Sequence, residues 1–242
     1  MNLETAFTVA AKELKVLSRK KSIFAYIIIV PLLLTVSFSS IIQSQVAAGN
    51  ASTLPLGIES LTFFFVVLAA ILPSSIAAYS VVGEKVEKSL EPLLATPTTD
   101  GEVLLGKSIS AFVPPILSIW AGALIFMAAI DYISHGLLSY NYFPNWDSGV
   151  MLLLLAPLAA VFSIELTVIA SSRLTDVRSA NQIGALMFIP FVVVFFAGAE
   201  GIITFSIDNL LIIGGIVLIS DLALSFLSTS TFNREEILTK WK

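Results

Sequence analysis

The chain has no cysteine. That excludes a disulfide framework, a thiolate metal site and a cysteine nucleophile. It has one histidine, His135, and no H-E-x-x-H pair, so a histidine-based zinc hydrolase has no residues to be built from. No cluster of carboxylates shows metal-ligand spacing on one helix. Charged residues are only 12% of the total, and no long polar stretch is left over for a separate soluble domain. Cations are missing from whole regions of the chain. That absence is the most informative, because of what fills the rest.

What fills the rest is apolar: 57% of residues are hydrophobic and the mean hydropathy is +0.94, far outside the range of soluble domains. Six apolar segments read as membrane spans, at 23–42, 58–82, 108–130, 149–171, 183–197 and 210–227. At 1.5 Å rise per residue, each crosses most or all of a hydrocarbon core about 30 Å thick. All 13 Lys and Arg fall in the alternate connecting pieces. These are Lys12, Lys15, Arg19, Lys20 and Lys21; Lys85, Lys88 and Lys107; Arg173 and Arg178; and Arg234, Lys240 and Lys242. The other pieces carry only acids and the histidine: Asp131, His135, Asp147, Glu200 and Asp208. Cationic loops are retained on the cytoplasmic face. The expected topology is therefore a multi-pass protein of the plasma membrane with both termini cytoplasmic. The fold class is all-α, a single transmembrane domain over residues 1–242. Nothing is basic or clustered enough to point to nucleic acid.

Residues 1–22 are basic and 23–42 apolar, which resembles a secretory leader. The apolar stretch is too long for one, and it reads as a retained first span. Within 1–22, Leu3, Phe7, Ala10, Leu14 and Leu17 recur at helical steps, while Glu4, Thr8, Lys12, Lys15 and Arg19 lie on another side. This predicts an amphipathic helix lying in the inner headgroup layer. Pro31, Pro73, Pro114-Pro115, Pro157 and Pro190 each fall in or near a span and each remove a backbone donor, so neighbouring helices must compensate. The outer piece 131–148 holds Tyr132, Tyr140, Tyr142, Phe143 and Trp146, the composition of an outer headgroup belt.

The piece 83–107 is more than a connector. Val86, Leu90, Leu93 and Leu94 line one side, and Glu84, Lys85, Glu87, Lys88 and Glu91 dominate the rest. That is a short amphipathic element at the inner surface, suited to docking a soluble partner. Thr99-x-x-Glu102 matches a capping box opening the next helix. Gly101 to Ser108 also satisfies the pattern of a nucleotide phosphate loop. The context excludes that role. No strand precedes it, Glu102 would stand beside the phosphates, and the following residues enter a span.

The stretch Gly83-Glu84-Lys85…Leu90-Glu91-Pro92-Leu93-Leu94-Ala95-Thr96-Pro97…Glu102-Val103-Leu104-Leu105-Gly106-Lys107 resembles the first cytoplasmic loop of type 2 ATP-binding-cassette (ABC) transporter permeases. The second inner loop, 171–182, is similar to that family's second loop, and the resemblance covers nearly the whole chain. Val86 and Lys88-Ser89 depart from the commoner acidic and Gly-Thr choices. The resemblance implies a half-transporter, usually an exporter. Two copies, identical or not, would form the path, and separate ATPase subunits would bind ATP and Mg. This chain would carry no cofactor and no catalytic site of its own. The first loop would act as the coupling helix, with Glu84, Lys85, Glu87, Lys88 and Glu91 meeting the ATPase. The family often has a short re-entrant helix between its last two spans, and the resemblance gives 198–205 as the place where one could sit.

Two acids lie inside spans: Glu165 in the fourth and Asp221 in the sixth. A carboxylate there costs several kcal/mol unless protonated, paired or hydrated. One reading places both on a translocation path, lining a wet cavity or contacting a cationic substrate. The other has them bonded to Ser and Thr of neighbouring helices, or Glu165 reaching Arg173. Glu59, near the outer end of the second span, is placed to reach headgroups. The competing functions are an ion-coupled carrier using Glu165 and Asp221, and an intramembrane enzyme, for which no motif exists.

Overall fold

The computed structural model describes residues 3–49, 51–80, 99–138, 140–173 and 188–231, with the single positions 179, 182 and 186. Among these there is no strand. The helices are α1 (Leu3–Arg19), α2 (Lys21–Ala47), α3 (Leu54–Ala78), α4 (Asp100–Leu138), α5, α6 (Ile189–Ala199) and α7 (Ile207–Thr231). Here α5 denotes a continuous rod of Trp146–Val150, a π-helical turn Met151–Leu155, and Ala156–Arg173. Five stretches are long and apolar enough to cross a membrane: Lys21–Ala47, Leu54–Ala78, Gly101–Leu138, Trp146–Ser171 and Ile207–Ser228. The expected span 183–197 is described only from residue 188, as part of α6. At 11 residues, α6 covers about half of a ~30 Å core.

α3 is the hub. It packs against α2, α4, α5 and α6, and 78% of its most apolar 18-residue window is buried, against 17% for α7. Its Phe63, Phe65, Val66, Val67 and Leu72 are fully buried, so this helix is apolar on every side because protein surrounds it. α7 is equally apolar for the opposite reason. Its Ile212, Ile216, Ile219, Leu222 and Phe226 are exposed, as a lipid-facing helix requires.

Two of the prolines, Pro31 and Pro157, are compensated as expected, and α4 supplies the donor in both cases. Pro31 has no N–H, so the carbonyl of Ile27 loses its donor four residues on. Ser118 Oγ of α4 donates to that oxygen at 2.8 Å. In α5 the π turn hands the Ala156 N–H to Met151 O, five residues back. The next donor in that register is Pro157, which has none, so Leu152 O is orphaned. Trp120 Nε1 of α4 donates to it at 2.8 Å. α2 and α4 also meet closely at Gly122, where an added Cβ would lie 3.1 Å from Pro31 Cβ. Thr35 Oγ1 donates there, between Pro31 O and Gly122 O, each 2.9 Å away. Pro190 sits in the first turn of α6, where its missing N–H is not needed.

The 131–148 piece differs from a simple aromatic belt. α4 continues through it to Leu138. Tyr132, Tyr140 and Trp146 are exposed, but Phe143 is buried against Phe126 and Tyr142. Asp131 holds that turn by accepting the Phe143 N–H at 2.9 Å, and Asn145 caps α5 by accepting from Ser148 N at 2.8 Å. Glu59 does not reach outward, since its carboxylate accepts a 2.8 Å hydrogen bond from the Tyr142 hydroxyl. Burial, then the facing Glu59 charge, pushes the Tyr142 hydroxyl far above its ordinary range, so it stays a donor.

The expected re-entrant helix at 198–205 is replaced by a tight turn. α6 ends at Ala199, Gly201 takes φ +72°, and the N–H groups of Ile202 and Ile203 return to Ala197 O at 2.8 and 3.1 Å. These bonds satisfy the helix end and reverse the chain. Phe205 then folds back into the core, stacked on Phe63 with ring centroids 4.8 Å apart. It fits only because position 198 is glycine, where a Cβ would lie 2.1 Å from Phe205 Cζ.

Candidate functional site

Two polar sites lie in the half of the bundle that carries α1. The first joins α1 to the roots of the 81–98 segment. α1 is amphipathic as expected, but its apolar face is split. Ala6, Ala10 and Leu17 are buried together with Glu13, whereas Leu3 and Phe7 are 60% exposed. The small residues let α1 press on α4 at Gly106, where an added Cβ would lie 2.7 Å from Val9 Cβ and 2.8 Å from Ala6 O. Beside that contact Lys107 is almost fully buried. Its ammonium donates to Ser80 O at 2.7 Å and Ser80 Oγ at 3.2 Å, and lies 3.7 Å from Glu13 Oε1. Ser80 Oγ donates to Glu13 Oε2 at 3.3 Å. Lys20 bonds the Tyr79 hydroxyl and lies over the Tyr79 ring. The last described residues of the α3 rod and the first turns of α4 are thus tied to one another and to α1.

Sequence reasoning placed Lys107 among the inner cations, in the rejected phosphate-loop pattern and in the family-like stretch, and did not single out Glu13. The signal was available: an acid on the 6, 10, 13, 17 stripe of an otherwise small and apolar face. The phosphate-loop pattern at Gly101 to Ser108 is helix rather than loop, and its lysine is taken by Ser80 and Glu13. The capping box is present, with Thr99 N donating to Glu102 Oε2 at 3.1 Å and Glu102 N donating to Thr99 Oγ1 at 3.4 Å. The expected partner-contact residues Glu84, Lys85, Glu87, Lys88 and Glu91 lie outside the described residues, as do most of 171–182 and residues 232–242.

The second site holds the two intramembrane acids, and the fold brings them together. Glu165 on α5 and Asp221 on α7 are close enough for their charges to interact. Asp221 is 5% exposed, and neither of its carboxylate oxygens has a hydrogen-bond partner. Glu165 Oε2 is likewise buried and unpartnered. For Asp221, the expectation of bonds to neighbouring Ser and Thr is therefore overturned. The nearby hydroxyls of Ser163, Thr167, Ser220 and Ser225 bond carbonyls of their own helices instead. The Arg173 side chain lies outside the described residues. Glu165 also borders a cavity of about 520 Å³ between α4, α5 and α7. The cavity exists because α7 packs along α5 and touches α4 only slightly.

Five long apolar helices, among them an α7 with an exposed apolar face, define a multi-pass membrane protein that is helical throughout its described elements. Residues 7–242 match the family model described as ABC-2 family transporter protein, and the chain belongs to that family. It is therefore a membrane transport subunit of the permease type, and its family implies pairing with an ABC ATPase subunit. Comparison with curated proteins gives no match.

Proposed function

We propose that the chain is one half of an ATP-driven exporter in the plasma membrane. Two copies form the path, and a separate ATPase docks on the 83–107 loop through Glu84, Lys85, Glu87, Lys88 and Glu91. The partner binds ATP and Mg; this chain contributes no cofactor and no catalytic group. Six helices span the bilayer, including the segment 183–197, with both termini cytoplasmic. α1 lies at the inner surface, where its exposed Leu3 and Phe7 meet lipid and its charged side meets headgroups. Glu165 and Asp221 face the translocation path.

The observation that carries this reading is the family match over residues 7–242, joined to the sorting of every cation to alternate pieces. The knot at Glu13, Ser80 and Lys107 adds a lever. A partner that moves the 81–98 segment pulls on Ser80 and Lys107, and through them on α1, α3 and α4 together. Affinity purification from native membranes tests it. The wild-type chain should retain a soluble ATPase, and Glu87→Arg should release it while the permease still folds. A chain that transports without any ATPase would overturn the reading in favour of an ion-coupled carrier. Labelling of Lys85 or Arg178 from the exterior would overturn the orientation.

A further inference from the structure

The cavity between α4, α5 and α7 belongs to one subunit, and its wall is specific. Leu104, Ser108 and Phe112 come from α4, Ile164 and Glu165 from α5, and Ser228 from α7. At about 520 Å³ it is within the roughly 300–1,000 Å³ typical of small-molecule sites. The wall is almost entirely aliphatic and aromatic, which suits an apolar body. Its one ionisable lining group among the described residues is Glu165, with a buried, unpartnered oxygen. Asp221, on the α7 helix packed along α5, is 5% exposed, with both oxygens unpartnered.

Buried carboxylate oxygens without a donor are costly, and a second acid on the adjoining helix adds to that cost. Tertiary contacts could have removed that cost, as they do for Glu13 only a few turns away. At this cleft no described side chain does. A ligand that satisfies the site must bring positive charge or donors to Glu165. It must also present hydrocarbon to Leu104, Phe112 and Ile164. A bare metal ion fits poorly, since no group of three or more His, Asp or Glu exists among the described residues, and most of the wall has no ligating atoms. A sugar would leave its hydroxyls against the apolar wall. An anion would meet Glu165 head-on.

We infer that this cleft is a binding site for a lipophilic monocation, an amine or onium with an aromatic or aliphatic body, held within a single subunit with its charge on Glu165. Asp221 acts as a positioning residue that keeps the local field negative. The inference rests on the proposed permease function for its role in transport, but the site itself is independent of any ATPase partner.

Equilibrium binding to the purified permease in lipid nanodiscs tests the site, with tetraphenylphosphonium as probe and tetraphenylborate, its anionic counterpart of the same shape, as control. The cation should bind saturably at one site per chain, and the anion should show only partitioning into lipid. Glu165→Gln should weaken the cation by roughly ten-fold or more, because a charge-assisted contact is lost. Asp221→Asn should weaken it less. Ser108→Phe, which adds bulk inside the cleft and leaves both acids in the sequence, should abolish binding. Equal saturable binding of both ions, or affinity unchanged in both Glu165→Gln and Ser108→Phe, would overturn the inference. No variant is needed for the comparison of ions, so misfolding cannot mask that result. Saturable cation binding that responds to these variants, without ATP-driven export of the cation by the complex, would keep the site and remove its place on the path. Export without saturable binding to this chain would do the reverse.

Discussion

Two sets of buried charge sit in the same half of the molecule, and they are solved in opposite ways. At the α1 anchor, Glu13, Lys107 and Ser80 satisfy one another within 2.7–3.7 Å. At the cleft, neither Asp221 oxygen nor Glu165 Oε2 meets a donor among the described residues. Buried ion pairs cost desolvation that their attraction and hydrogen bonds offset, so a complete set is a joint. Two like charges without partners stabilise nothing by themselves. The difference separates a structural polar site from one that no described side chain completes.

The largest expected effect breaks the joint. Lys107→Met strands Glu13 beside Ser80, and removing one partner of a buried pair costs about 3–5 kcal/mol. Thermal melting in detergent should show it. The double variant Glu13→Gln with Lys107→Met should recover most of the loss, which a general packing defect would not allow. Next is Gly106→Ala. Its new Cβ collides with Val9 and Ala6 O, and overpacking of this kind costs about 1–3 kcal/mol. Limited proteolysis should then cut within residues 3–19 while the α3 core stays protected. Trp120→Phe keeps an aromatic side chain but removes the donor to Leu152 O, and an orphaned carbonyl costs about 1–3 kcal/mol. If melting is unchanged, the compensation at Pro157 does not depend on α4.

The smallest effect on stability is expected at the cleft. Glu165→Gln and Asp221→Asn remove like charges that have no partners, so stability should hold or rise by up to about 1 kcal/mol. Transport should fall in both. Together with Lys107→Met, this sharpens the contrast: the joint loses stability, and the cleft loses function while keeping its fold. Loss of stability at the cleft with unchanged transport would erase the distinction.

Much of the architecture was readable without coordinates. Apolar length and the placement of Lys and Arg are local properties of the chain, and solvent preference acts on them segment by segment. The capping box at Thr99 and Glu102 was legible for the same reason, since both partners lie within one turn. Compensation of the prolines was expected in kind, but not its source. Ser118 and Trp120 are distant in sequence from Ile27 and Leu152, and nothing local marks them as donors. Glu13 was overlooked because a helical wheel separates charged from apolar sides but cannot show which side meets protein. The re-entrant helix failed against Gly201 and the bulk of Phe205, a local stop signal that the family expectation overrode.

Composition and spacing alone determined that this is a helical membrane chain, which segments are apolar enough to cross, and which connecting pieces carry its cations, because water and hydrocarbon sort residues by type. Only the tertiary structure decided which charges are satisfied. It joined Glu13 to Lys107 across more than ninety residues, drew Glu165 and Asp221 together, and left a cleft beside them. Pairing in a low-dielectric interior depends on a few ångströms of distance, and that distance is set by how the helices pack.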